Sequence, residues 1–368
     1  MEKAVLTLPS GKRPGEEFVL SEPMLAGDTP AAVFGRVAKR LAALGADVLS
    51  VLVYGSMDTY AASETALRDV LGEPQWPLTW VEGASCVGRS LAGVQVFAVA
   101  GREVTRVRLG RRVVASVYED GEARHCLLGG FGPSTTLLQP PAQEQQTLAN
   151  LEAALELAGF GLSDVIRTWF YNDAILDWYD DFNRVRSALY KTVRFSTGSL
   201  PASTAVRGRN PAGAALAVAA RAIQPLKGAV RAREVGSPLQ CPAPAYGSSF
   251  SRAMELEVGG MRQLLVSGTA SIHPGGETAW VDNAARQVAM TMKVVNAILQ
   301  SRGMAWGDVT RAIAYFKEPE YLVHFEAWCA AHDGLRLPVI AVHCDICRDD
   351  LLFEIELDAA VSRLAEAG

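Results

Sequence analysis

Residues 46–55 read ADVLSVLVYG, residues 163–172 read SDVIRTWFYN, and residues 307–316 read GDVTRAIAYF. Set side by side, they align at Asp47, Asp164 and Asp308, at Val48, Val165 and Val309, and at Tyr54, Tyr171 and Tyr315. The neighbours repeat too. Before each comes a helical pattern that ends at a glycine: TPAAVFGRVAKRLAALG, QTLANLEAALELAG and NAARQVAMTMKVVNAILQSRG. Apolar residues at helical spacing followed by glycine are the signature of a helix and its C-terminus. After each comes a second helical stretch, then a proline-led strand (PLTWVEG, PASTAVRG, PVIAVHCD), then a closing strand (GVQVFAVAG, AALAVAARAI, DLLFEIELD). Strands also precede the helices, best seen as ARHCLLGGFG and MRQLLVSGTASI.

The chain is therefore predicted to be α+β and to hold three tandem units, residues 1–104, 105–232 and 233–368, each a sheet with two helices on one face. The other face of such a sheet needs cover. Three units in one chain cover one another around a pseudo-threefold axis, a covalent counterpart of a homotrimer, with clefts between neighbours. A single chain then suffices, with further association open.

Composition fits this picture. The chain has 368 residues, 49% hydrophobic and 20% charged, with a net charge of −5. That acidity argues against a nucleic-acid or anionic-membrane surface. No apolar run reaches the length of a membrane helix, and the N-terminal residues carry no apolar signal core. Six scattered cysteines read as reduced, cytoplasmic usage rather than a disulfide framework. The sequence contains no Walker loop, no dinucleotide-type G-x-G-x-x-G between strand and helix, and no H-E-x-x-H, so no cofactor is expected. The glycine-rich GGFGPST runs into PPAQEQQ, read as a loop before a helix. The run REVTRVRLGRR reads as a strand with a solvated face, because it lacks interleaved aromatics.

Where the repeats diverge, chemistry is expected, because packing demands are shared and function is not. Ser50 stands where the other units have Arg167 and Arg311. The acid Glu354 aligns with Ala219 in the second unit and with an uncharged residue near Phe97 in the first. One working cleft is expected, not three. In the closing strand, Phe353, Ile355 and Leu357 share one face, and Glu354, Glu356 and Asp358 share the other. The apolar face goes under the helices, so the acidic face looks into a cleft. A carboxyl held there has its pKa raised, as a general acid near neutral pH requires. The alternative is a salt bridge across the interface.

Arg167 with Tyr171 and Arg311 with Tyr315 are spaced to share a strand face, a guanidinium fork beside a phenol, suited to a carboxylate on a small ring. An inter-unit hydrogen-bonded interface is the competing reading. Cys344 and Cys347 point to opposite faces of an extended strand and lack the second pair that zinc requires, so no metal site is expected. Cys347 alone stays a candidate, against a small buried thiol. Further polar candidates are Ser203, Thr204, Tyr246, Arg252, Thr269, Ser271 and Lys317; His273 sits in a turn.

The unit order, the SGTAS after an apolar strand and the closing FEIE resemble the YjgF/RidA-like fold, which forms homotrimers. With RTWFYND, LPASTA, SGTASI and CRDDLLFEIE, the stretch from about Cys126 to Ala360 resembles the chorismatases, enzymes that remove pyruvate from chorismate. The resemblance implies chorismate as substrate and Glu354 as the acid that protonates its enol-ether methylene. Arg167, Arg311, Tyr171 and Tyr315 would hold it, with Thr204, Tyr246, Arg252 and Thr269 nearby. Within the family, a cysteine seven residues before the acid goes with the branch that forms 3-hydroxybenzoate, in some members also 4-hydroxybenzoate; Cys347 occupies that place. Ala270 is the small residue drawn from the SGTAS strand. Hydrolysis to a dihydroxycyclohexadiene carboxylate is the other branch. A RidA-like imine deaminase would place an arginine soon after the LP of the penultimate strand, and PVIAVH has none. A non-catalytic binding protein is the third possibility.

Overall fold

The computed structural model describes residues 4–8, 15–226 and 230–362. The first unit contains β1 (Ala4–Leu8), β2 (Gly15–Pro23), α1 (Pro30–Leu44), β3 (Ala46–Gly55), α2 (Tyr60–Leu71), β4 (Leu78–Glu82), β5 (Ala84–Ser85) and β6 (Leu91–Ala100). The second contains β7 (Thr105–Leu109), β8 (Arg112–Glu119), β9 (Ala123–Phe131), α3 (Pro140–Leu157), β10 (Val165–Asn172), α4 (Ile175–Tyr190), β11 (Ala202–Arg207) and β12 (Leu216–Pro225). The third contains β13 (Arg231–Val235), β14 (Ala253–Val258), β15 (Met261–Ala270), α5 (Ala284–Ser301), β16 (Val309–Phe316), α6 (Leu322–Ala331), β17 (Val339–His343) and β18 (Phe353–Ser362).

Local sequence explains the element ends. Thr29 caps α1, its hydroxyl accepting from the Ala32 N–H, and Gly45 closes the helix at φ 57°, a left-handed conformation that glycine adopts without steric cost. PPAQEQQ is not a loop. It forms the first turns of α3, because proline is tolerated where an N–H would lack a helical partner anyway.

The strands form three sheets, ordered β1-β2-β6-β3-β4, β11-β10-β12-β9-β8-β7 and β13-β14-β15-β18-β16-β17-β5. In each, the strand after the first helix runs parallel to the strand after the second and antiparallel to the closing strand. The same bulge interrupts all three pairings, just before Ser50, Arg167 and Arg311. The short β5 leaves the first unit's sheet and pairs with β17, tying the first unit to the third. β13 begins at Arg231 and pairs only within the third sheet. The expected boundary at residue 232 therefore cuts a strand, and the change of unit falls before it.

Each sheet buries one face under its own helices. Phe34, Val37 and Val96 do so in the first unit, Leu151, Phe170 and Phe182 in the second, and Val288, Phe316 and Phe353 in the third. The opposite faces meet in one shared core that draws Tyr54 and Val81 from the first unit, Trp169 and Tyr171 from the second, and Ile313, Tyr315 and Ile340 from the third. No single unit could bury that face alone, so the units are held together by the same hydrophobic burial that folds each of them.

Candidate active site

The site begins with a defect in a strand. Along β15 and β18, Val266 pairs with Leu357 but Thr269 pairs with Ile355, so β15 carries an extra residue around Gly268. Such a bulge re-aims the chain. Here it brings bare backbone against the Glu354 side chain: a Cβ on Gly268 would overlap Glu354 Oε1. Across the seam, Thr204 on β11 of the second unit accepts from the Gly268 N–H at 3.0 Å. Glu354 itself pairs with Ala270 on β15 and Tyr315 on β16.

A pocket with about 500 Å³ of empty space opens over the Glu354 carboxyl. The second unit contributes Tyr179 and Arg186 from α4 and Ser203 and Ala205 from β11. The third contributes Tyr246, Phe250 and Arg252 from the segment before β14, Ala270 at the end of β15, and Cys347 and Arg348 from the loop before β18. A wider groove leads outward past Tyr179, Tyr246, Cys347 and Arg348.

Three guanidinium groups line this pocket, and each is pinned from behind. Arg252 donates through Nε and Nη2 to the Cys241 carbonyl, at 3.0 and 2.9 Å. Arg348 donates to the Gly276 carbonyl at 2.7 Å. The Tyr246 ring lies by both, 5.3 Å from the Arg252 guanidinium carbon and 5.2 Å from that of Arg348. Arg186 stacks on Phe182 at 4.6 Å and gives one bond, 2.7 Å, to Asn183 Oδ1. Its Nε and Nη1 have no partner among the described residues, although the side chain is 1% exposed. A buried cation with idle donors favours an anionic guest.

The carboxyl is suited to giving a proton. Glu354 is 5% exposed. Burial, and then the negative Glu356 two residues on, push its pKa up to about 8, while Arg167 and Arg252 pull the other way. Burial and the neighbouring Glu354 hold the Cys347 thiol up at about 12, so it is not a thiolate near neutral pH. Burial also raises the Tyr246 phenol to about 12, leaving it a hydrogen-bond donor. The Tyr179 hydroxyl is 3.2 Å from Ser248 Oγ.

Several sequence-based expectations change. Glu354, Cys347, Tyr246, Arg252 and Ala270 converge on the pocket. Arg167 and Arg311 do not line it: both bond Glu356, and Arg167 borders a separate cavity with Gln95, Trp169 and Tyr171. Arg167 Nη2 donates to Glu356 Oε2 at 2.7 Å and Trp169 Nε1 to Oε1 at 3.0 Å; Arg311 Nη2 bonds the same Oε1. Arg311 also pairs with Asp358 at 3.1 Å. Tyr171 and Tyr315 do not line the pocket either. Their hydroxyls meet that of Tyr54, at 3.1 and 2.9 Å, in a closed triad from all three units. Thr204 serves the Gly268 backbone and Arg167, and Thr269 donates to the Ser267 carbonyl at 2.8 Å. Both are buried, and neither lines the pocket. The closing strands also need realignment. Ala217 pairs with Tyr171 and Gly93 with Tyr54, as Glu354 pairs with Tyr315. Ala219 matches Glu356 instead, and Phe97 matches Asp358. Cys344 packs in the shared core and Cys347 beside Ala270 and Leu351, so the two thiols belong to different clusters.

Tyr179 and Arg186 were missed because they reach the pocket from another unit. A signal existed: Tyr179, Phe182 and Arg186 lie on one stripe of α4, and a cation inside an apolar helical stripe calls for a partner.

Neither a protein-family model nor a curated protein matches the sequence. Solved structures do. The yeast protein Mmf1 matches with 16% identity and a TM-score of 0.30, over 35% of this chain and 97% of its own. The YjgF gene product of E. coli matches with 20% identity and a TM-score of 0.28, over 34% of this chain and 96% of its own. A chorismatase crystal structure matches with 18% identity and a TM-score of 0.63, over 93% of this chain and 98% of its own. The chain thus shares its fold, over nearly its whole length, with a chorismatase.

Proposed function

We propose that the protein cleaves chorismate to 3-hydroxybenzoate and pyruvate at the pocket between the second and third units. The observation that carries this reading is the pairing of a buried, proton-holding Glu354 with three guanidinium groups, Arg186, Arg252 and Arg348, around one pocket. A dicarboxylate with an enol ether needs two cationic holds and one acid. Arg186, with its idle donors, takes one carboxylate, and Arg252 and Arg348 take the other. Tyr246, between the latter two, packs on the ring.

Glu354 donates its proton to the methylene carbon of the enol ether. The double bond's electron pair forms the new C–H bond and leaves an oxocarbenium ion. The substrate's own ring hydroxyl adds to that ion and passes its proton to the original ether oxygen, whose bond to the pyruvyl carbon breaks and leaves a hydroxyl on the ring. The neighbouring ring carbon–oxygen bond then breaks, and pyruvate leaves with the trapping oxygen as its ketone. The ring then loses a proton as it becomes aromatic, which restores Glu354. No water is consumed overall. Cys347 beside Glu354 favours this branch over hydrolysis, in which water would trap the ion and the ring would keep both oxygens. An imine deaminase is disfavoured because Ile340, the apolar residue that β17 buries here, stands where such an enzyme would need a cation.

Purified protein mixed with chorismate should release pyruvate, and chromatography should show 3-hydroxybenzoate as the aromatic product. A diene diol instead would assign the hydrolytic branch. No pyruvate from well-folded protein would overturn the reading.

A further inference from the structure

Glu354 and Glu356 lie two residues apart on the same face of β18, both buried. Two carboxyls so placed do not both ionise readily. The hydrogen bonds decide which keeps the proton. Glu356 receives Arg167, Arg311 and Trp169, three donors that suit an anion. Among the described residues, no hydrogen bond is found to the Glu354 carboxyl, which faces the pocket.

We propose that Glu356 is a positioning residue: a fixed negative charge, locked between two guanidinium groups and an indole, that keeps the reactive proton on Glu354 at neutral pH. The inference rests on the reading of Glu354 as proton donor. It also gives the two most conspicuous repeat arginines a task, because they act on the reaction through Glu356 and not by touching substrate.

The other charged and titratable groups around Glu354 work against or beside this effect. β10 supplies Arg167, which favours the anion, and the segment before β14 supplies Arg252, which does the same. β16 supplies Tyr315 and Arg311, the latter also held by Asp358. The loop before β18 supplies Cys344, Cys347 and Arg348; α4 supplies Tyr179 and Arg186, and the segment before β14 also Tyr246. β11 and β15 present uncharged groups there: Ser203, Thr204, Ala205, Gly268 and Ala270. Burial and Glu356 are the two influences that favour the neutral acid.

The test follows the Glu354 proton directly, through the carboxylic C=O stretch in infrared difference spectra over a pH series. The band is assigned by its loss in Glu354→Gln. Wild type should titrate near pH 8. Glu356→Gln should lower the midpoint by about one pH unit or more, and the pH at which pyruvate release fails should move with it. Glu356→Asp, which keeps the charge, should restore most of the midpoint. Because Glu356→Gln leaves buried Arg167 without its anion and Arg311 with Asp358 alone, the double variant Glu356→Gln/Arg311→Gln, which removes one charge of each sign, serves as the second probe; the same downward shift is expected. An unchanged or higher midpoint in either folded variant would overturn the proposal. If the midpoint falls as expected but wild type releases no pyruvate, the proton-holding role stands and the assigned reaction fails.

Discussion

The seam between the first and second units and the seam between the second and third are built alike and carry different side chains. At the first, Thr79 Oγ1 accepts the Gly130 N–H at 2.9 Å; at the second, Thr204 Oγ1 accepts the Gly268 N–H at 3.0 Å. Both sit at a bulge in the strand that leads into the long helix. Yet Ala217 occupies the first seam where Glu354 occupies the second. At the third seam the counterparts are Ile340 and Gly93. The main-chain architecture of a seam is thus a packing solution used more than once, and the buried acid stands in one copy only. The same asymmetry runs along the axis. The sets Ser50, Gln95, Phe97 and Arg167, Ala219, Arg221 and Arg311, Glu356, Asp358 occupy equivalent places. Only the third holds acids, and they neutralise arginines from both charged sets.

If the second seam alone carries catalysis, Glu354→Gln should lower pyruvate release by about 10²–10⁴-fold, the usual worth of a general acid, with the melting temperature kept. Near-normal turnover in that folded variant would erase the contrast between the seams. Gly268→Ala sharpens it. The added methyl must displace Glu354 Oε1, and a misplacement of about 1 Å can cost about a hundredfold. Gly130→Ala, the matching change at the first seam, lies at φ +72° with the Leu78 carbonyl 2.5 Å from the new Cβ. It should lower the melting temperature and leave kcat alone.

Arg186→Gln asks whether the second unit reaches into the pocket. Loss of one charge-assisted carboxylate contact, about 1.5–3 kcal/mol, should raise KM about 10–100-fold with a smaller change in kcat. The pH profile comes next. If Glu354 is the proton donor, kcat/KM should hold below the pKa of about 8 and fall about tenfold per unit above it. A rise with pH over that window would make Glu354 a base and not an acid.

The last test concerns a group that does not line the pocket. Glu144 on α3 is buried, with both oxygens unpartnered, and burial raises its pKa to about 9 against an ordinary 4.5, Arg186 opposing. The folded protein therefore holds a proton that the unfolded chain releases, and stability falls as pH rises between those values, by up to about 1.4 kcal/mol per unit. Glu144→Gln should flatten that part of the melting-temperature profile. An unchanged profile would place the charge elsewhere.

Much of this was legible in the chain. The aligned Asp, Val and Tyr positions announced three units, and the alternation in LLFEIELD put Glu354 on the inner side of its sheet. The roles of Arg167 and Arg311 were not legible for a reason that the same strand makes plain. Side-chain parity tells which face a residue takes, not how deep along the strand it lies. Glu354 and Glu356 share a face, but one opens on a seam pocket and the other sits at the axis among arginines.

The sequence by itself determined the repeat, the order of the main elements and the side of the sheet that the acids take, because each is written in local spacing and side-chain type. Only the tertiary structure decided which cations meet Glu354 and which are consumed by its neighbour. That choice turns on contacts between residues as far apart as Arg167 and Glu356, and a linear pattern carries no record of such distances.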